Sequence, residues 1–275
     1  MSLLHAIILA VIQGLTEFLP ISSSAHLAIT PWLLGWKDQG LAFDIALHFG
    51  TAIAVVLYFF RDWIQIVSQG FGFGIGHDPE LKRNPRLLWM LAAASLPIGI
   101  CGLLFQKYAE TTLRNPFVMG TMLVVVGVLM GIADRIARLQ KGIEHIRLFD
   151  AVIIGCAQAL AIVPGTSRSG ITITAGLFQN LDRTAAARFS FLLSTPAVVA
   201  AAAKDFHEIH KSGGIPEEWK IPFAVGILVS AATGCAVIGF LMRYLRRASL
   251  NVFVWYRIIF GIIVLSLAVF RYPAE

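Results

Sequence analysis

The chain has 275 residues, of which 57% are hydrophobic and only 14% charged, with a mean hydropathy of +0.75. A soluble domain carries about 25% charged residues, so this balance excludes a soluble globular protein and points to an integral membrane protein. The formal charge of +6 comes from 22 Lys+Arg against 16 Asp+Glu, but these basic residues sit in loops. They read as orientation signals and contacts to anionic lipid, not as a nucleic-acid surface.

Residues 3–12 are apolar but too few to cross a bilayer, which takes about 20 residues. Met1-Ser-Leu-Leu-His5 lacks a basic n-region and no small-residue cleavage site follows, so mature sequence is expected rather than a signal peptide. Residues 13–26 then read Gln-Gly-Leu-Thr-Glu-Phe-Leu-Pro-Ile-Ser-Ser-Ser-Ala-His, polar where a spanning helix should still be apolar. A second apolar run, about 25–36, ends at Gly35-Trp36-Lys37-Asp38. Two short runs around a breaker predict a re-entrant hairpin. Non-helical backbone at that depth survives only inside protein or beside a wet cavity. Three full-length spans are predicted next, at about 42–60, 87–105 and 116–133. Between the first two lies a polar, basic loop from Arg61 to Arg86, whose Gly70–Gly76 stretch reads as a flexible linker.

The second half repeats the plan. An apolar run at 151–163 meets a second breaker, Pro164-Gly-Thr-Ser-Arg-Ser-Gly170, and a short run to Gln179-Asn180 follows. Three more spans are predicted at about 185–203, 221–242 and 251–270. Gln13-x-Leu15 with Pro20 and Ser22 matches Gln158-x-Leu160 with Pro164 and Ser167, allowing one residue of slippage. His48–Val56 through Arg61-Asp62 likewise resembles Phe191–Val199 through Lys204-Asp205. The expected organisation is one membrane domain, 1–275, holding an internal duplication at about 1–138 and 147–275.

A hairpin returns to its own side, so each half crosses three times and the halves are inverted relative to each other. With the N-terminus outside, thirteen of the 22 Lys+Arg fall inside and seven outside, while Arg168 and Arg257 lie within apolar segments. The positive-inside rule then places both termini outside, with the two hairpin tips meeting near mid-membrane. The predicted fold is an all-α integral membrane protein: six transmembrane helices plus two re-entrant helical hairpins, arranged as an inverted-topology repeat.

Polar groups in hydrocarbon are costly and mark functional sites. Gln13 and Glu17 are four apart and share a helix face. An amide and a carboxylate converging there suit a hard cation, Mg²⁺ or Ca²⁺, which takes oxygen ligands; the bland alternative is that Glu17 caps a helix or pairs with an arginine. Pro20 ends one half-helix, and Ser22, Ser23 and Ser24 are N-cap candidates for the next, whose free N–H groups make an anion site. Ser22 and His26 are i,i+4 and Ser23 and His26 are i,i+3, which offers a hydroxyl nucleophile with a nearby base, or a histidine that attacks directly. In the second breaker Thr166, Ser167 and Ser169 can cap a helix, and Gly170 permits close backbone approach. The planar fork of Arg168 suits bidentate contact with phosphate, or a structural pairing with Glu17.

Weaker signals complete the reading. Asp44 and His48 share a helix face and read first as an ordinary polar face, with approach to the cavity as the alternative, and Arg257 reads as an intramembrane counter-ion. His5, His77, His145, His207 and His210 are expected to carry no chemistry. Cys101, Cys156 and Cys235 read as packing residues without disulfides. Trp32, Trp36, Trp63, Trp219 and Tyr272 fit an interfacial aromatic belt. These parts suit phosphate chemistry on a lipid-borne substrate, because phosphoryl transfer needs mainly positioning and charge stabilisation.

The two breakers, Gln13–His26 and Pro164–Gly170, resemble the motifs of the undecaprenyl-diphosphate phosphatase family, also known as bacitracin-resistance proteins, and the fit of order and spacing runs over essentially the whole chain. The resemblance implies a bacterial inner-membrane enzyme that hydrolyses undecaprenyl diphosphate to undecaprenyl phosphate, recycling the lipid carrier for peptidoglycan and other envelope polymers. It also implies a divalent cation and bacitracin tolerance. By position, Glu17 belongs to the family's acidic motif, and Ser22, Ser23, His26, Ser167 and Arg168 match active-site positions. Two departures stand out. Gln13 offers no charge where Glu or Gln is found, which weakens a two-carboxylate metal site, and Ala25 replaces a common glycine.

The expected catalytic set is Glu17, Ser23, His26 and Arg168, with Ser22, Ser24, Thr166, Ser167, Ser169 and Gly170 binding diphosphate, and Glu17 with Gln13 at a cation. Sequence does not choose between Ser23 and His26 as nucleophile. The partners expected are a polyprenyl diphosphate and the bilayer, not nucleic acid, with a homodimer left open. The runner-up function is a lipid or small-molecule transporter or flippase on the same inverted repeat.

Overall fold

The computed structural model describes residues 2–36, 41–211 and 217–271. Lys37, Asp38 and Tyr272 lie outside the described residues, as do the side chains of Lys204, Asp205, His207 and His210.

Helix α1 (Leu3–Phe18) stops two residues short of Pro20, and α2 (Ser23–Leu34) returns beside it. Leu19 is extended (ψ 142°), because the residue before a proline is pushed out of the helical region. Helix α3 (Leu41–Tyr58) is followed by α4 (Phe60–Gly70), bent away by 67°, then by the short α5 (Pro79–Lys82). The long helices α6 (Leu87–Thr111) and α7 (Pro116–Ile136) close the first half. In the second half α8 (Leu148–Ala159) continues as a 3₁₀ turn, Leu160–Ile162, to a Val163 that is again extended before proline (ψ 119°). Then come α9 (Arg168–Phe178), α10 (Arg183–Lys211), α11 (Glu217–Tyr244) and α12 (Asn251–Arg271). The described residues form helices and no strand, so the chain is all-α. Among the described residues five helices, α6, α7, α10, α11 and α12, are long and apolar enough to cross a membrane, and α3 with α4 makes a sixth if the bent pair counts as one span.

Apolar side chains cover the outside, as lipid contact requires: Leu103 is 90% exposed and Phe270 83%. Between helices in a membrane, small residues let backbones approach. Gly50 of α3 sits against Ser230 of α11, where a Cβ would fall 1.9 Å from the serine oxygen. Gly155 of α8 lies as close to the backbone of Ala94 in α6, 2.3 Å from its carbonyl oxygen by the same measure. The first helix of each half thus packs on the second span of the other half, α1 on α11 and α8 on α6, while α7 packs on α12 and α3 on α10.

The Arg61–Arg86 segment differs from a plain loop, since it contains α4 and α5. Its glycine-rich stretch is also tied down. Ser68 donates to the Ile75 carbonyl (3.0 Å), and the Gln65 amide both donates to and accepts from the Asp78 backbone (2.8 and 3.0 Å). Side chains of α4 supply the bonds that composition could not show. Beside it Arg188 of α10 gathers Asp62, Asp78 and Glu80 at 2.8, 2.8 and 3.2 Å, at the edge of a cavity of about 670 Å³. Partial burial pushes the Asp78 carboxyl up. The Arg188 hydrogen bond and the N–H groups of Leu81 and Glu80 outweigh this and hold it below its usual 3.8. Its contribution to stability is therefore present above pH 3.8 and lost as pH falls through the lower folded-state value. Protection of the amides around residues 76–82, corrected for the intrinsic exchange rate, should fall on acidification below pH 3.8, and Asp78→Asn should weaken that pH dependence.

Cys101, Cys156 and Cys235 are free thiols, but Cys156 is exposed on the helix surface instead of packed. Trp36 stacks on His5 (ring centroids 4.0 Å apart), and Trp63 packs partly buried against the core.

Candidate active site

The two breakers meet. Ser24 accepts a bond from the Gly165 N–H (3.3 Å), and Ser169 donates to the carbonyl oxygens of Leu19 (3.2 Å) and Glu17 (3.4 Å). Gly165 is required there. Its φ is +91°, and a Cβ would lie 2.5 Å from the Met119 carbonyl oxygen. Both second half-helices start from a serine in the left-handed region, Ser22 (φ 77°) for α2 and Ser167 (φ 69°) for α9. A non-glycine residue held so costs about 1–3 kcal/mol and persists only where surrounding bonds enforce it. At Ser167 the enforcing bond is a cap, its Oγ accepting from the Gly170 N–H (3.1 Å). Two helix N-termini, each favourable to an anion, thereby open at the junction.

Arg257 of α12 locks this junction. It was expected as a counter-ion to an acid, but its guanidinium instead donates to five backbone carbonyls: Pro20 of the first breaker, Gly165 and Thr166 of the second, and Met122 and Leu123 of α7. The side chain is fully buried. Breaking two helices at depth leaves the Pro20, Gly165 and Thr166 carbonyls without helical partners, and the fork satisfies these three while also bonding the Met122 and Leu123 carbonyls inside α7.

Glu17, at the end of α1, is the centre of the polar cluster. Its Oε2 accepts from Ser23 Oγ (2.6 Å) and from Gln13 Nε2 (3.1 Å). The Arg168 guanidinium lies 3.6 Å from its Oε1 and the His48 ring 3.6 Å from its Oε2, an ion pair when that ring is protonated. Gln13 also donates to Thr51 (3.3 Å), while its own Oε1 is buried without a protein partner. Arg168 Nη1 is likewise buried and unpartnered, so the fork has donors to offer a ligand. His48, Ser24, Arg168 and Arg114 line a cavity of about 260 Å³ whose other walls include Leu27, Ile45, Met119 and Val198. Arg114 is held there by Asp44 at 3.2 Å.

The expected hydroxyl–imidazole pair is not formed. Ser23 is bonded to Glu17, while His26 points elsewhere, with Nδ1 2.7 Å from the Ser22 carbonyl and Nε2 2.7 Å from the Tyr256 hydroxyl. Although both lie on α2, each is taken by a partner elsewhere, Ser23 by Glu17 of α1 and His26 by Tyr256 of α12. Ser22 reaches Ser24 (3.2 Å), Ser167 reaches Ser169 (3.3 Å), and Thr166 Oγ1 is buried without a partner. Sequence reasoning missed Thr51 and Tyr256, and ranked the approach of His48 to the cavity second to an ordinary polar face. For His48 and Thr51 the signal was present, since polar side chains i,i+3 on an apolar span face one way. Nothing in sequence tied Tyr256, 230 positions away, to His26.

A cation can be tested against this donor set. Among the described residues no group of three or more His, Cys, Asp or Glu could hold a metal ion. The oxygens present are the Glu17 carboxylate, the orphaned Gln13 Oε1 and Ser23 Oγ. They fit a hard cation of the Mg²⁺ type, which is commonly held by one or two carboxylates together with substrate phosphates.

Residues 6–263 match the protein family described as Bacitracin resistance protein BacA. The chain is 46% identical to the undecaprenyl-diphosphatase of Moorella thermoacetica over 266 residues, covering 97% of this chain and 98% of that protein. It is 44% identical to the enzyme of the same name from Gemmatimonas aurantiaca over 266 residues, with the same coverage. For that of Trichlorobacter lovleyi the identity is 46% over 270 residues, 97% of each chain.

Proposed function

The chain belongs to the bacitracin resistance protein BacA family, and from that membership and its site we propose that it hydrolyses undecaprenyl diphosphate to undecaprenyl phosphate and inorganic phosphate. The observation that carries the proposal is the Ser23–Glu17 bond beside Arg168, which has an unpartnered donor and itself lines a cavity with polar and apolar walls. Such a cavity suits an amphiphile, with phosphates at Arg168, Ser24 and the two helix N-termini and the first prenyl units against Leu27, Ile45 and Val198. The three relatives are all named for phosphatase activity, so the transporter alternative has no support.

In the proposed reaction Glu17 takes the Ser23 proton, and Ser23 Oγ forms a bond to the terminal phosphorus. The bond from that phosphorus to the bridging oxygen breaks, and its electron pair leaves on the lipid monophosphate. Arg168 stabilises charge on the transferring group. Glu17 passes that proton to the departing lipid monophosphate, then takes one from the attacking water and returns it to Ser23 Oγ as the phosphoserine bond breaks and inorganic phosphate leaves. Glu17, Gln13 and Ser23 would hold a divalent cation, Mg²⁺ or Ca²⁺, which when bound supplies further neutralisation of phosphate charge. We further propose that both termini are periplasmic and that the site opens to the outer leaflet of the bacterial inner membrane. The support is the excess of Lys and Arg on the opposite side.

Purified protein in detergent should release phosphate from a prenyl diphosphate, stop on chelation with EDTA and recover with Mg²⁺. Ser23→Ala and Arg168→Ala should each lose about a hundredfold or more in turnover. Normal turnover by Ser23→Ala, Arg168→Ala and His26→Ala alike would show that the site is misassigned.

A further inference from the structure

His26 does not touch the Glu17 cluster, yet its surroundings are well built. The Ser22 carbonyl can only accept a hydrogen bond, so Nδ1, 2.7 Å away, carries the proton. The ring is buried with no carboxylate bonded to it, which favours its neutral form. Nε2 therefore bears the lone pair and accepts from the Tyr256 hydroxyl at 2.7 Å. Tyr256 and Phe260, one turn apart on α12, both stack on the ring, with centroids 5.7 and 4.6 Å away at interplanar angles of 12° and 19°. Both ring nitrogens are engaged by protein groups, so neither has a free valence.

What His26 does hold is the carbonyl of Ser22. That residue has the strained backbone, φ 77° and ψ 97°, and no side-chain cap bond of its own. The next residue is Ser23, whose hydroxyl is aimed at Glu17. We propose that Tyr256 and His26 are positioning residues for the phosphatase reaction. The Tyr256 hydroxyl fixes the orientation of His26, whose tautomer the Ser22 carbonyl sets; His26 Nδ1–H anchors that strained carbonyl, and the anchor aims Ser23 at Glu17. The Arg257 side chain, next in sequence, holds the same turn through the Pro20 carbonyl, so adjacent residues of α12 secure the turn from two directions. This inference rests on the phosphatase reading and assigns Ser23, not His26, as the group that carries phosphate.

The test compares wild type with Tyr256→Phe, which removes one hydroxyl and keeps the stacked ring. Losing one hydrogen bond should lower kcat about tenfold with KM changed less than about twofold. In ¹⁵N-histidine spectra the His26 Nε2 resonance, assigned by its absence in His26→Gln, should move toward that of an unbonded imine nitrogen, while Nδ1 remains protonated. Label trapped from a β-³²P prenyl diphosphate should be acid-stable and map to Ser23. Unchanged kcat in Tyr256→Phe, a loss confined to KM, or acid-labile label on His26 would each overturn the inference. Failure of the wild type to release phosphate would sink the phosphatase reading instead. The nitrogen spectra would still show whether Tyr256 sets the state of His26, and an Nε2 resonance unmoved by Tyr256→Phe would refute that.

Discussion

Glu17→Gln is expected to lower phosphate release about a thousandfold while the protein stays folded. Glutamine fills the same volume and can still bond Ser23 and Gln13, so the helix end and its contacts persist. It lacks the negative charge that accepts the Ser23 proton, that faces Arg168 and His48 at 3.6 Å, and that would hold a cation. The loss should therefore fall on kcat, with thermal unfolding in detergent close to wild type and no rescue by excess Mg²⁺. A Glu17→Gln enzyme with near-normal kcat would remove Glu17 as the base and leave the site without a proton acceptor at Ser23.

The second large effect is expected at Arg257. Arg257→Gln would leave most of the Pro20, Gly165 and Thr166 carbonyls unsatisfied, since those of Met122 and Leu123 lie inside α7, and each such group costs about 1–3 kcal/mol when partners cannot be replaced. Part of that cost is recovered by the glutamine amide and by local relaxation, so a destabilisation on the order of 4 kcal/mol is expected. Activity should vanish even where folded protein is recovered, because the Pro20 and Gly165–Thr166 turns lose the group that joins them. Arg257→Lys keeps a charge but has three donors on a flexible stem, and should fall between the two. Melting in detergent and phosphate release measure both effects, and a stable, active Arg257→Gln would mean the turns hold without the fork.

Much of the site was legible because it rests on local rules. Gln13 and Glu17 do share a helix face and are bonded at 3.1 Å, as their spacing requires. Pro20 and Pro164 do end their helices, each after an extended residue. The resemblance of both breakers to one family's motifs marked Ser23 and Arg168, and the fold brings both to Glu17. Ser23 and His26 do sit three apart on α2, but the Ser23 hydroxyl bonds Glu17 of α1, a partner that only the packing of α2 beside α1 supplies. His48 looked ordinary because its side chain reaches the cluster only after α3 packs beside α1.

By itself the sequence determined that this is an all-α membrane protein, where its helices break, and which polar residues are buried at those breaks. These follow from composition, from proline sterics and from helix periodicity, all of which act within a few residues. Only the tertiary structure decided which of those groups meet. The Ser23–Glu17 contact, the Arg257 fork over both breakers and the Tyr256–His26 bond span 6 to 237 positions. Such pairings depend on how close two helices come and on the conformation of single turn residues, and no local pattern encodes either.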